Sequence, residues 1–285
     1  MDNYFYVKTG NKVLRSFSLF MDKEEKLEKA MVHYKKALSE FIENQDFLNY
    51  SILSEKIGDE YFKINDIDSA QKQYENAQKH YLTLDIDKYF NITINKIIPL
   101  YIKNNNIKNI GKAYCQLAKL TACDKEHEKT IDYYQKAVSY LETEKCYDLL
   151  NCYTDFTYYL LNYGDIDSAS YYIKLIIKYM ADSNLLVYKA NEYIFMFLLC
   201  VMSKNDTILV KKKIAKYCDM VHRFNDSAYC KLIENLNETY ENNNIDKFSD
   251  LIYEYDKLYK LKPHEVKLLL NIKKNIISNN EVDLR

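Results

Sequence analysis

A short helical motif repeats along this chain, and it narrows the possible folds more than any other feature. Ala30-x-x-x-Tyr34-x-x-Ala37 recurs as Ala70-x-x-x-Tyr74-x-x-Ala77 and, with Thr in first place, as Thr130-x-x-x-Tyr134-x-x-Ala137. The string Asp-Ile-Asp-Ser-Ala occurs twice, ending at Ala70 and at Ala169. Ala30 to Ala70 and Thr130 to Ala169 are each separated by about forty residues, the range of helix-hairpin repeats. The small Ala lets the two helices of a hairpin approach closely, and the large Tyr fills the groove beside them. Asp66 or Asp68, and Asp165 or Asp167, are N-cap candidates for the second helix of a unit.

The same 3.6-residue period runs through most of the chain. Leu27, Ala30, Met31, Tyr34, Ala37, Leu38 and Phe41 form one stripe; Tyr50, Leu53, Ile57, Tyr61 and Ile64 form the next. Further stripes are predicted through Phe90-Ile102, Ile107-Leu120, Lys129-Leu141, Tyr147-Tyr163 and Ile166-Met180. Past Leu185 the repeat blurs into longer, more apolar helices: Leu185-Met202, Ile208-Val221, Ala228-Tyr240, Ile245-Leu258 and Pro263-Ile277. Pro263 suits a first helical turn. Residues 278–285 carry no periodicity and are expected to be a mobile tail. Composition agrees with this all-α reading, because 285 residues contain only 4 Gly and 2 Pro, the residues that punctuate strands and loops.

Charge is balanced at -1, so nucleic acid is not expected as a partner. The 29 tyrosines go with an excess of Asn, Lys and Ile, and they read as core filler. The 7 cysteines are scattered, with no Cys-x-x-Cys pair and no zinc spacing, and read as reduced, buried thiols. Met1-Asp2-Asn3 does not start a signal peptide. The apolar run Tyr193-Met202 is shorter than the ~20 residues that span a bilayer, so it reads as a buried helix. A cytoplasmic protein is expected. No phosphate loop, nucleophile elbow, metal triad or catalytic residue is found, and neither metal nor cofactor is expected. Glu24-Glu25 and Glu126-His127-Glu128 suit helix N-termini.

Ser16-Phe17-Ser18-Leu19-Phe20-Met21 breaks the helical logic. This apolar cluster is flanked by Lys8, Lys12, Arg15, Lys23 and Lys26. It is either a hydrophobic staple against the following helix or an exposed loop that dips into a membrane surface.

Several stretches resemble the soluble NSF attachment proteins, the alpha type in particular. They are Cys230-Lys231-Leu232, Tyr253-Glu254-Tyr255-Asp256, Leu268-Leu269-Leu270-x-Ile272-Lys273-Lys274 and the terminal Asp283-Leu284-Arg285. Leu185-Leu186-x-Tyr188, Tyr133-Tyr134-Gln135-Lys136-Ala137 and Ser16-Phe17-Ser18-Leu19-Phe20 fall in the same order. The resemblance implies a curved, right-handed array of tetratricopeptide-like hairpins followed by a C-terminal helical bundle. Four segments are expected: 1–22 with the membrane loop, 23–184 as the repeat sheet, 185–277 as the bundle, and 278–285 as the tail. It implies an adaptor, not an enzyme. Such an adaptor grips assembled SNARE complexes (syntaxin-type and related helices) and recruits an NSF-type AAA ATPase that takes them apart, at the membrane periphery. By that resemblance Phe17, Leu19 and Phe20 touch membrane, Lys112 with Lys108 faces the SNARE bundle, Asp206, Glu238 and Glu241 face the ATPase, and Leu284 stimulates it. Asn106, Asn151, Asp155, Asn191 and Ala228 stand where the resemblance expects basic residues, and Asn242 where it expects an acidic one. The competing expectation is another tetratricopeptide-type scaffold or co-chaperone, which needs neither the apolar loop nor the Leu284 tail.

Overall fold

The computed structural model describes residues 4–17, 21–124, 126–144, 146–183 and 185–283, with side chains as far as residue 278. It is all-helical, and it divides into two compact units, Met1–Glu144 and Lys145–Arg285.

The first unit is a succession of antiparallel hairpins. α1 (Phe5–Arg15) pairs with α2 (Lys23–Glu43), α3 (Phe47–Lys63) with α4 (Ile67–Leu84), and α7 (Ile107–Cys123) with α8 (His127–Glu144). Between them, α5 (Ile86–Ile92), a π turn (Thr93–Ile97) and α6 (Ile98–Lys103) form one continuous helix. The repeat motif lies where the hairpins close: Ala30, Tyr34, Ala37, Ala70, Tyr74, Ala77, Tyr134 and Ala137 are all buried. The tyrosines do more than fill space, because four of the buried rings send their hydroxyls to polar side chains on a neighbouring helix. Tyr34 donates to Asn11 at 2.7 Å, Tyr74 to Asp59 at 2.7 Å, Tyr81 to Glu55 at 2.9 Å and Tyr101 to Glu75 at 2.8 Å. Burial pushes the Tyr34 phenol up to about 12, so it stays a donor. Glycine permits the close approach under two of these rings: a Cβ on Gly10 would meet the Tyr34 ring at 2.5 Å, and one on Gly58 the Tyr74 ring at 2.6 Å.

α1 was not anticipated from the sequence. Tyr6, Val7, Val13 and Leu14 pack on the α2–α3 core, but the helix is short, holds Gly10, and starts at Tyr4 without a side-chain cap.

The π turn has a definite cause. Up to its first residue, Tyr89, Ile92 and Thr93 are buried; from its last residue on, Ile97, Ile98, Leu100 and Tyr101 are. At about 100° per residue these two sets would lie on different faces of an uninterrupted α-helix. One extra residue in the turn, with Ile98 N–H bonded to Thr93 O, rotates the second set back toward the core. The wider turn also lets Pro99, which lacks an N–H, follow at once.

One turn geometry links many of the helices. Among the described residues, Gln45, Asn65, Asn105, Gly164, Asn205 and Asn243 each take a positive φ just after a helix. Each is followed by an Asp or Asn N-cap: Asp46, Asp66, Asn106, Asp165, Asp206 and Asn244. Each cap accepts the N–H three residues on, at 2.7–3.3 Å. Asn tolerates the left-handed region better than most residues with a Cβ, because its short polar side chain bonds locally. So Asp66 and Asp165, not Asp68 and Asp167, are the caps.

The second unit surrounds α11 (Ala190–Met202), whose residues Tyr193 to Met202 are all buried. A helix that is apolar all round belongs at the centre of a packed unit, and α11 packs against α10 (Ile166–Ala181), α12 (Thr207–Met220), α14 (Ala228–Glu241) and α16 (Pro263–Asp283). α9 (Tyr147–Tyr163), the short α13 (His222–Asn225) and α15 (Ile245–Tyr259) complete it. Among the described residues, no helix is long and apolar enough to cross a membrane. α16 begins at Pro263 and runs past Ile277 to Asp283, with the Ser278 hydroxyl on Lys274 O at 2.6 Å.

Candidate docking surfaces

The N-terminal apolar segment begins where α1 stops. Ser16 turns extended, and its hydroxyl and N–H both bond Val13 O, at 2.7 and 3.2 Å. Phe17 then stands 89% exposed. Met21, next to the Asp22 cap and so at the staple position, is half-buried and accepts the Lys29 ammonium at 2.9 Å. Leu19 and Phe20 lie outside the described residues. The chain re-enters helix at Asp22, whose carboxylate accepts Glu25 N–H at 2.8 Å, with Glu24 and Glu25 in the first turn.

Lys108 and Lys112 are exposed, one turn apart on α7. Asn106, where a basic residue was expected, caps the N-terminus of that helix at Asn109 N–H, 3.3 Å.

The acidic residues converge. Glu234, Glu238 and Glu241 fall at i, i+4 and i+7 of α14 and line an open groove of about 500 Å³ together with Lys211 and Cys218 of α12. Asp206 caps α12, taking Leu209 N–H at 2.7 Å. Its neighbour Thr207 shares a side-chain hydrogen bond with Glu241. Glu238 and Glu241 therefore share one groove, and Asp206 stands at the α12 N-terminus, next in sequence to the Thr207 that reaches Glu241. Glu241 is engaged within it: Lys211 lies 2.7 Å away, and that bond holds the Glu241 carboxyl below its ordinary range. Lys211 and Glu234 were not singled out from the sequence, because only the helix pairing brings them to the groove. Asn242, at the C-cap of α14, ends the same edge.

Cys218 and Cys230, unremarkable in sequence, face each other with sulfurs 3.8 Å apart; burial pushes Cys230 up to about 12, so its thiol stays protonated. Among the described residues, no group of three or more His, Cys, Asp or Glu side chains is placed to hold a metal. Leu284 lies outside the described residues.

The family model described as soluble NSF attachment protein, SNAP, matches residues 5–277. The chain belongs to the SNAP family. Mouse alpha-soluble NSF attachment protein is 31% identical over 159 residues, 55% of this chain and 53% of that protein. Bovine beta-soluble NSF attachment protein is 27% identical over 192 residues, 67% and 64% of the two chains. The matches thus span about half to two thirds of these curated relatives, and both the alpha and the beta types of SNAP are similar. The apo form of RapI aligns over 98% of this chain and 100% of its own at a TM-score of 0.37 and 15% identity.

Proposed function

We propose that this SNAP-family chain is an adaptor for SNARE disassembly, with no catalysis of its own. It binds an assembled SNARE bundle through the hairpin segment 23–184, and it docks and stimulates an NSF-type AAA ATPase through 185–277 and the segment 278–285. The observation that carries the reading is the family match across residues 5–277. The acidic groove of α12 and α14 supports it, since two carboxylates named only by resemblance, Glu238 and Glu241, line it together. On this reading Lys112, helped by Lys108, meets the acidic SNARE bundle, and Asp206, Glu238 and Glu241 meet a basic surface on the ATPase. Leu284 stimulates the ATPase once it is docked. Phe17, with Leu19 and Phe20, touches the membrane; burying them supplies at most ~1.5–3 kcal/mol each, so contact is weak and peripheral until several copies act together.

The test is a pull-down of the purified chain with assembled SNARE complex and NSF-type ATPase, followed by SNARE disassembly with ATP. Ternary capture and ATP-dependent disassembly are expected. Charge reversal at Glu238 and Glu241 should weaken ATPase capture, most at low salt, and leave SNARE capture intact. Failure of the unmodified chain to capture either partner would refute the proposal.

A further inference from the structure

α1 presents a basic face to solvent. Lys8, Lys12 and Arg15 fall at i, i+4 and i+7, one stripe of the helix, and all three are exposed. They line a hollow of about 470 Å³ together with Asn11 and Ser16. Lys56 of α3 reaches into the same place, and what it meets on α1 is the neutral amide oxygen of Asn11. That oxygen also accepts the Tyr34 hydroxyl at 2.7 Å, so both of its lone pairs are used. The carboxylate felt by Lys56 is Glu60, and Glu60 is already held by Lys63 at 2.8 Å. Burial first, then Arg15 and Lys63, act to lower the Lys56 pKa, and the net shift is downward. An anion placed among these cations would relieve that repulsion.

The hollow also has an apolar neighbour. Phe17, two residues beyond Arg15, is 89% exposed. On the α2 side of the same helix end, Lys23 and Lys26, with the Lys63–Glu60 ion pair, line a second recess floored by Leu14 and Leu27. Cations around a projecting aromatic ring suit a water–lipid boundary, where the ring enters the acyl region and the cations stay with the headgroups. A freely diffusing phosphate has no use for that ring.

We propose that the hollow lined by Lys8, Asn11, Lys12 and Arg15, backed by Lys56, takes the phosphate-bearing headgroup of an anionic membrane lipid. It thereby selects which membrane surface Phe17 enters. The proposal rests on the membrane-contact reading above and adds a lipid class to it. A basic residue close to an anionic bilayer contributes about fivefold in partitioning, so neutralising two should cost on the order of 25-fold.

The experiment is flotation of the full chain with vesicles of phosphatidylcholine alone and of phosphatidylcholine mixed with phosphatidylserine or phosphatidylinositol bisphosphate. The unmodified chain should prefer the anionic vesicles, less so as salt rises. Lys12→Gln with Arg15→Gln should remove roughly 25-fold of that preference and leave binding to neutral vesicles as it was. Both side chains are exposed, and thermal unfolding of the variant checks that the fold is kept. Phe17→Ser should weaken binding to both vesicle types and keep their ratio. A double variant with undiminished preference would overturn the hollow as the headgroup site. Equal binding of the unmodified chain to both vesicle types would overturn headgroup selection and leave membrane contact standing. Full competition by inorganic phosphate at matched phosphate concentration would overturn the lipid as occupant. Binding to no vesicle would remove the membrane reading and this proposal together.

Discussion

Asp206 holds two roles that one pair of substitutions separates. Its carboxylate caps α12 at Leu209 N–H, 2.7 Å away, and its charge is proposed to face the ATPase. Removing a cap of this kind costs about 1 kcal/mol, which is roughly 2–4 °C in Tm for a unit of this size. Asn caps as well as Asp but carries no charge, so Asp206→Asn should leave Tm nearly unchanged while Asp206→Ala lowers it. An exposed charge at a docking rim contributes about 0.2–1 kcal/mol, up to about fivefold in affinity at low salt. Part of the Asp206 charge is already spent against the positive end of α12, which favours the lower end of that range. Asp206→Asn and Asp206→Ala should therefore weaken ATPase docking equally, by about twofold, and the loss should vanish at high salt. Thermal unfolding and surface-immobilised docking on the same samples give both quantities. If docking follows Tm instead, with Asp206→Asn behaving as the unmodified chain and Asp206→Ala losing affinity, the charge reasoning fails and Asp206 acts by holding α12.

Gly58→Ala should destabilise the first unit by about 1 kcal/mol, because overpacking against the Tyr74 ring costs about 1–3 kcal/mol and Ala regains about 1 in helix propensity. In a Tyr74→Ala background the same change should be stabilising, and urea denaturation followed by circular dichroism reads both. His264 is buried against Tyr158, with Nε2 lacking a hydrogen-bond partner among the described residues; burial, then Lys262, holds its pKa down to about 4, while Glu192 opposes the shift. Its folded pKa is below the unfolded value, so stability is intact above pH 6.5 and falls as pH drops toward 4, by up to about 3 kcal/mol. Glu265, raised by burial, acts in the opposite sense within the same window, because it gains stability as pH falls toward its ordinary carboxylate range. His264→Phe should flatten the acid limb of stability against pH, and an unchanged limb would refute the assignment. Lys112→Glu should weaken SNARE capture, and if Asn106, Asn151 and Asp155 stand at basic positions of the family, as the resemblance implies, the unmodified chain should show a shallow salt dependence. Leu284→Ala should leave the ternary complex assembled while ATP hydrolysis and disassembly slow; loss of recruitment itself would contradict the proposed division of roles.

The hairpins were legible because the information is local. A stripe, a polar break and an Asp cap lie within a few residues of one another, so the helices from Leu27 onward and the buried α11 could be read directly. α1 was missed although Tyr6, Gly10, Val13 and Leu14 form a stripe, since no cap marks its start and its glycine reads as a break until Tyr34 is seen lying over it. The Lys211–Glu241 pair joins residues thirty apart, and the Cys218–Cys230 contact joins residues twelve apart. Neither pair has any sequence pattern. The acidic face itself was named through family resemblance, not through periodicity: Glu238 and Glu241 look like ordinary solvated positions of an amphipathic helix until α12 is placed beside them.

The π turn at Thr93–Ile97 makes this helix one residue longer than its packing requires. Most helices cannot lose a residue, because everything downstream then swings by about 100° and its apolar side faces water. Here the swing has already been absorbed. Excising exposed Asn95 would return the segment to plain α-helix with Ile97, Ile98, Leu100 and Tyr101 still inward, provided Pro99, which the wide turn accommodates, became Ala at the same time. Chain length is therefore negotiable at this point of the first unit, and shortening here should be paired with exchange of the proline.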